Sequence, residues 1–169
     1  EAENLVKDGF KEIVLTGIHL GLYGKDFKEE NLHLLDVIAN LSKIDGIKRI
    51  RLSSIEALEL TDDFIQSLSQ LDVFCHHFHI PLQSGSDSVL KRMNRRYTAE
   101  EFKDRVELIR KKMPDVSITT DVIVGFPGET EQEFEQTVDF IEKIKFSKLH
   151  VFPFSPRDGT PASKMPNPV

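Results

Sequence analysis

Short β-branched runs alternate with longer stretches of helical period along this chain, and that alternation limits its fold more than any other feature of the sequence. Strands are expected at Glu12 to Leu15, Ile47 to Leu52, Phe74 to Leu82, Ser117 to Val124 and Lys148 to Phe154. Between them apolar residues recur every three or four positions: Leu32, Leu35, Ile38, Ala39 and Leu41; then Phe64, Ile65, Leu68 and Leu71; then Phe102, Val106, Ile109 and Met113; then Phe134, Val138, Ile141 and Ile144. Each set reads as the buried face of one helix. The segments TDDF, TAEEF and TEQEF place a threonine where its hydroxyl caps free backbone N–H groups, and put acidic residues in the first turn, where the helix dipole favours them.

Strands spaced in this way are joined by right-handed crossovers, so the expected fold class is α/β with a parallel sheet. Five β-α units are too few for a closed eight-stranded barrel and match a partial one. The 169 residues are 39% hydrophobic with twelve Phe, enough for the core of one domain spanning residues 1–169, and no linker divides them. Apolar runs fall short of the roughly 18 residues that a membrane span requires. The first residues also have no hydrophobic signal core, so a soluble, cytoplasmic and monomeric protein is expected. Cys75 is the only cysteine, which excludes an internal disulfide and a cysteine-ligated cluster built from this chain alone. A net charge of -6 gives no global attraction for nucleic acid, and the basic runs KRMNRRY and RKK read first as solvated helix faces.

Parallel strands covered by helices normally read as continuous Val, Ile and Leu. Here Arg51, Ser53, His77, His79, Gln83, Thr119, Asp121 and His150 share one face, opposite Ile50, Leu52, Phe78, Ile80, Leu82, Val122, Val124, Leu149 and Val151. Burying such polar groups unpaired costs about 1–3 kcal/mol each. They must therefore pair with one another, line water or contact a ligand. Any one histidine reads as a hydrogen-bonded interior residue, but the set across four strands reads as the wall of a polar cavity. A ligand then belongs where the loops TGIHLGLYGKD, SSIEALEL, QSGSD, GFPGET and SPRDGTPA converge, at the carboxyl ends of the strands. With no Walker loop or ordered GxGxxG, nucleotide phosphates are not indicated.

The ordered series EIVLTGIHLGLYG, RIRLSSIEALEL, HFHIPLQSGSDSVLKRMNRRYT, TTDVIVGFPGETEQEFEQT and KLHVFPFSPRDGTPA resembles the radical S-adenosylmethionine (SAM) core of the methylthiotransferases over essentially the whole chain. LTGIHLGLYG together with LHVFPFSPRDGTPA is most similar to the branch that acts on threonylcarbamoyladenosine beside the tRNA anticodon. The resemblance implies a partial (β/α)6 TIM-type barrel, here lacking the first strand and cluster loop, with SAM at its open end. It implies radical transfer of a methylthio group to carbon 2 of the adenine. It further implies two 4Fe–4S clusters in the full-length protein, an amino-terminal methylthiotransferase domain, and a carboxyl-terminal TRAM-like RNA-binding domain outside these residues. The implied partners are tRNA and a reductant such as flavodoxin or ferredoxin, with no membrane.

On the same grounds, Thr16 and Gly17 in LTGIH meet the methionine amino group of SAM. Ser54 and Glu56 in SSIE complete the methionine and ribose contacts, and Gln83 and Ser84 in PLQSGS read the ribose. Arg96 is a forked donor to the SAM carboxylate. Ile123 and Gly125, in VIVGFPGE, fall in a segment similar to the adenine-binding Gly-x-Ile-x-Gly-x-x-Glu, with Asp121 at the first glycine position and Glu129 one place late. Phe152 offers backbone and ring to the adenine. His77, His79, Asp121 and His150 line the substrate cavity, with no metal assigned.

The family's Cys-x3-Cys-x2-Cys loop is absent from the chain. The chain is therefore expected either to follow that loop in a longer enzyme, holding no cluster itself and inactive alone, or to be a degenerate homologue that has lost it. Rival readings are the same chemistry on isopentenyladenosine or on a ribosomal protein aspartate, a metal-dependent aldolase or hydrolase using His77, His79 or Asp121, and an RNA-binding module working through KRMNRRY.

Overall fold

The computed structural model describes residues 1–27 and 32–169. Its elements follow in the order α1 (Ala2–Lys7), β1 (Glu12–Leu15), α2 (Leu34–Leu41), β2 (Arg49–Leu52), α3 (Asp62–Leu68), β3 (His77–His79), α4 (Asp87–Arg92), α5 (Ala99–Lys112), β4 (Ser117–Val124), α6 (Glu131–Ile144) and β5 (Lys148–Pro153). Short 3-10 turns stand at Leu20–Leu22, Ala57–Glu59 and Pro161–Lys164. All ladders are parallel: β1 pairs with β2, and β4 lies between β3 and β5. Single parallel bridges, Ile50 with Phe74 and Ser54 with His79, join β2 to the β3 segment. The strands thus run edge to edge in chain order with helices on one side, the arrangement of a partial β/α barrel.

The expected bounds of β1 and β4 are met to the residue, while β3 spans three residues instead of nine. At its start, Cys75 donates its N–H to Ile50 of β2 at 2.9 Å. At its end, Pro81 has no N–H to offer a ladder. Thr120 repairs the gap: its hydroxyl donates to the Ile80 carbonyl at 2.6 Å and accepts from the Leu82 N–H at 2.9 Å. Gln83 then turns into the left-handed region, with φ 68°, and bonds β4 through the Asp121 carbonyl and the Ile123 N–H.

Thr61, Thr98 and Thr130 each accept from the backbone N–H three residues on, and the last two form capping boxes with Glu101 and Glu133. The core lies between helices and sheet, where Ile38, Ile50, Phe78, Ile80, Leu82, Phe102, Val106 and Ile109 are wholly buried. Phe102 touches the rings of Tyr97, Phe140 and Phe146.

Helix α6 differs from expectation. Phe134 and Val138 are exposed, and Thr137 and Ile144 are buried with Phe140 and Ile141 packed beside them. The buried face is displaced because Thr137 bonds the loop after β3: it pairs with the Ser84 hydroxyl at 3.0 Å and accepts the Gly85 N–H at 3.1 Å. A Cβ on Gly85 would meet Phe140 at 2.7 Å, so this glycine admits the helix rather than a ligand. Leu32 falls before α2 and is exposed, and Val151, on edge strand β5, is exposed rather than packed on helices.

Phe102→Ala is expected to cost about 3–5 kcal/mol by urea denaturation, and Phe134→Ala less than about 1 kcal/mol.

Candidate active site

The period of two divides β2, β3 and β4 as expected. Ile50, Leu52, Phe78, Ile80, Ile118 and Val122 are at most 1% exposed on the helix side, while the residues between them face inward and retain some exposure. The inward residues make a hydrogen-bonded ribbon. Asp121 on β4 accepts from His79 Nε2 and His150 Nδ1, each at 3.2 Å, and Asp121 and His150 are register partners. His79 Nδ1 lies 2.9 Å from the Thr119 hydroxyl, whose oxygen is 3.5 Å from His77 Nε2. At the other end Glu12 accepts from Arg49 at 2.6 Å and from Arg51 at 3.1 Å. Burial, followed by the Arg51 guanidinium and the neighbouring His79 ring, holds the His77 imidazole below its ordinary pKa.

His79, Asp121 and His150 bring donor atoms within 4.8 Å of one another, so the third inward ligand that a metal would need does exist. It completes a set with His79 and excludes His77. Direct hydrogen bonds already join these three side chains.

The rim is built by the loops. Thr16 and Gly17 follow β1 and are exposed. Ser54 bridges to His79, and Glu56 accepts from Arg95 at 3.2 Å. Arg96, expected at this rim, is exposed, and it is Arg95 that the turn after α4 brings to Glu56. Ser84 is a correction: it is 0% exposed, and its hydroxyl is spent on Thr137 and the Ser86 N–H, behind the sheet rather than at the cavity. Gln83, one residue earlier, stays partly exposed in its left-handed conformation. Left-handed non-glycine residues of this kind are held by their surroundings and cluster at functional sites. Tyr97, its phenol pushed up in pKa by burial, donates to the Pro81 and Leu82 carbonyls and pins this rim.

Gly125, at φ 72°, donates its N–H to the Glu129 carboxylate at 2.5 Å, closing the loop after β4. Ile123 lies in register with Phe152, which is 51% exposed. A cavity of roughly 300 Å³ lies beside Ile123, walled by Arg92, Arg95, Phe126, Pro161 and Met165. Glu12, Arg95, Thr120 and Thr137 were not singled out in the sequence, because their roles depend on which strand or helix lies opposite.

The model of the radical SAM superfamily matches residues 1–141. The chain belongs to the radical SAM superfamily. It is 54% identical over its full length to the threonylcarbamoyladenosine tRNA methylthiotransferase MtaB of Bacillus subtilis, and 48% identical over 98% of the chain to that of Thermotoga maritima; it spans 37% of the length of each. It is 41% identical to the tRNA-2-methylthio-N(6)-dimethylallyladenosine synthase of Thermoanaerobacter sp., covering 100% of the chain and 36% of that protein. Among solved structures, the radical SAM methyltransferase TsrM from Kitasatospora setae matches with TM-score 0.67 at 18% identity, over 90% of this chain and 29% of that one. Coproporphyrinogen III oxidase HemN from Escherichia coli gives 0.62 at 19% identity, over 77% and 31%. Membership of the radical SAM superfamily displaces the aldolase or hydrolase alternative.

The superfamily implies SAM and a 4Fe–4S cluster, and the residues present fit the two unequally. SAM is matched by the polar rim, where Thr16 and Gly17 are exposed and Gln83 is held left-handed and partly exposed; away from that rim, Arg51 Nε and His77 Nδ1 are buried without a partner among the described residues. A cluster held by three thiolates has no match, because Cys75 is the only cysteine. No helix among the described residues is long and apolar enough to cross a membrane.

Arg92 clamps this architecture from outside, forking onto Glu133 at 3.0 and 2.7 Å and holding its carboxyl down to about 2. The folded-state value lies below the unfolded one, so the pair's stability is present above the ordinary carboxylate range and lost as pH falls toward 2. Arg92→Gln is expected to cost about 1 kcal/mol at neutral pH and to move acid unfolding, followed by circular dichroism, to higher pH.

Proposed function

We propose that this chain is the central barrel of a longer tRNA methylthiotransferase that places a methylthio group on carbon 2 of threonylcarbamoyladenosine beside the anticodon. The observation that carries this reading is the continuous polar inner face, from Glu12 and Arg51 across His77, His79 and Asp121 to His150. Its open groups suit a polar, hydrogen-bonding substituent better than a hydrocarbon one. The 54% identity to the threonylcarbamoyladenosine enzyme, against 41% to the dimethylallyladenosine enzyme, supports the same choice.

In this reading Thr16, Gly17, Ser54, Glu56, Gln83, Ile123, Gly125 and Phe152 hold SAM along the rim, chiefly through backbone groups, with Arg95 acting through Glu56. SAM and the cluster supply, when bound, a carbon radical that removes hydrogen from an unactivated position. This chain's residues orient the adenine, satisfy its substituent and exclude water from the cavity. Parts of the enzyme outside this chain supply the cluster cysteines, a second 4Fe–4S cluster and a TRAM-like domain that grips tRNA. The enzyme works in the cytoplasm as a monomer, with flavodoxin or ferredoxin as electron donor.

Nucleoside mass spectrometry of tRNA from cells lacking the intact gene tests this. Methylthio-threonylcarbamoyladenosine should vanish and its unthiolated precursor accumulate. Persistence of the modified nucleoside in a strain without a second such enzyme would reject the assignment.

A further inference from the structure

The two inner-face carboxylates have partners of different charge. Asp121 is served by two imidazoles. In the tautomer that places a proton on His79 Nε2 toward Asp121, Nδ1 accepts from the Thr119 hydroxyl, whose oxygen is left to accept from His77 Nε2. That direction makes His77 Nδ1 a bare lone pair, and it is the buried His77 atom without a partner among the described residues. Glu12, by contrast, is shared by two permanent cations, Arg49 and Arg51. One carboxylate against two guanidinium groups leaves one positive charge to spare.

Arg51 is the cation in excess. Its bond to Glu12, at 3.1 Å, is longer than the 2.6 Å bond from Arg49, and Arg49 is the chief cause of the lowered Glu12 pKa. Turning Arg51 away therefore leaves Glu12 partnered. The Arg51 side chain is 39% exposed, and its Nε has no partner among the described residues. Its charge is felt at His77 on the neighbouring strand. A partly exposed forked donor beside a bare acceptor is the complement of a carboxylate with an N–H close by.

We propose that Arg51 is a specificity-determining residue that pairs with the carboxylate of the threonylcarbamoyl substituent, while His77 Nδ1 accepts the adjacent urea N–H. The proposal rests on the methylthiotransferase reading above. A dimethylallyl substituent has neither group and would leave both side chains unpaired. SAM also presents a carboxylate beside an N–H, so cofactor and substrate are the two sources of this chemistry.

The test uses the intact, cluster-loaded enzyme with anticodon stem-loops carrying threonylcarbamoyladenosine, its methyl ester or dimethylallyladenosine. Stem-loop affinity, kcat/KM, SAM affinity and tRNA-independent SAM cleavage are measured. The ester should lower wild-type kcat/KM and stem-loop affinity about 10- to 100-fold. Arg51→Met should lower both by a similar factor on the acid and add no further loss on the ester, with SAM affinity and cleavage unchanged; Arg51→Lys should recover part of the loss. Wild-type enzyme that treats ester and acid alike would overturn the proposal without any variant. Weakened SAM binding in Arg51→Met would assign Arg51 to the cofactor instead and also overturn it. Wild-type activity confined to dimethylallyladenosine would reject the underlying function, an outcome separate from either of these.

Discussion

Parallel pairing with a side-chain period of two is the constraint on which this molecule depends. It sends Ile50, Leu52, Phe78, Ile80 and Val122 into the helices and, in the same stroke, sends Arg51, His77, His79 and Asp121 to a face that no helix among the described residues covers. A slip of one residue would exchange the two sets, burying charged groups against α5 and exposing the core. Register and site are therefore specified together, and the hydrogen bonds of Asp121 to two neighbouring strands are possible only in the register that also closes the core.

The loop after β3 shows how rim geometry follows from this frame. Pro81 ends the ladder, Thr120 repairs it from the helix side, and Tyr97 holds the released carbonyls. Gln83 is then forced left-handed while Ser84 and Gly85 are drawn onto Thr137 of α6. Two adjacent residues of one motif thus have opposite roles: Gln83 stays at the cavity and Ser84 anchors the loop.

Much of the fold was legible beforehand. The strand bounds of β1 and β4 and the three threonine caps follow from local pattern, because capping and alternation are decided within a few residues. The face of α6 was not legible, since Phe134 and Val138 have the right spacing but Thr137 has the partner. The inner face was legible as a set of polar residues on alternating positions. Its pairing was not, because the links from Glu12 to Arg49 and Arg51 and from Arg95 to Glu56 span 37 to 39 residues of chain.

By itself, then, the sequence determined the order of β-α units, the helix starts, the residues able to line a polar cavity, and the absence of the thiolates a cluster needs. Tertiary structure alone decided that His79, Asp121 and His150 meet while His77 stands apart with an open nitrogen, that Arg95 rather than Arg96 turns to Glu56, and that Arg51 shares its carboxylate with a second arginine. The reason is one of range. Periodicity and capping act over one or two turns, whereas hydrogen bonds across parallel strands join residues that a whole crossover helix separates.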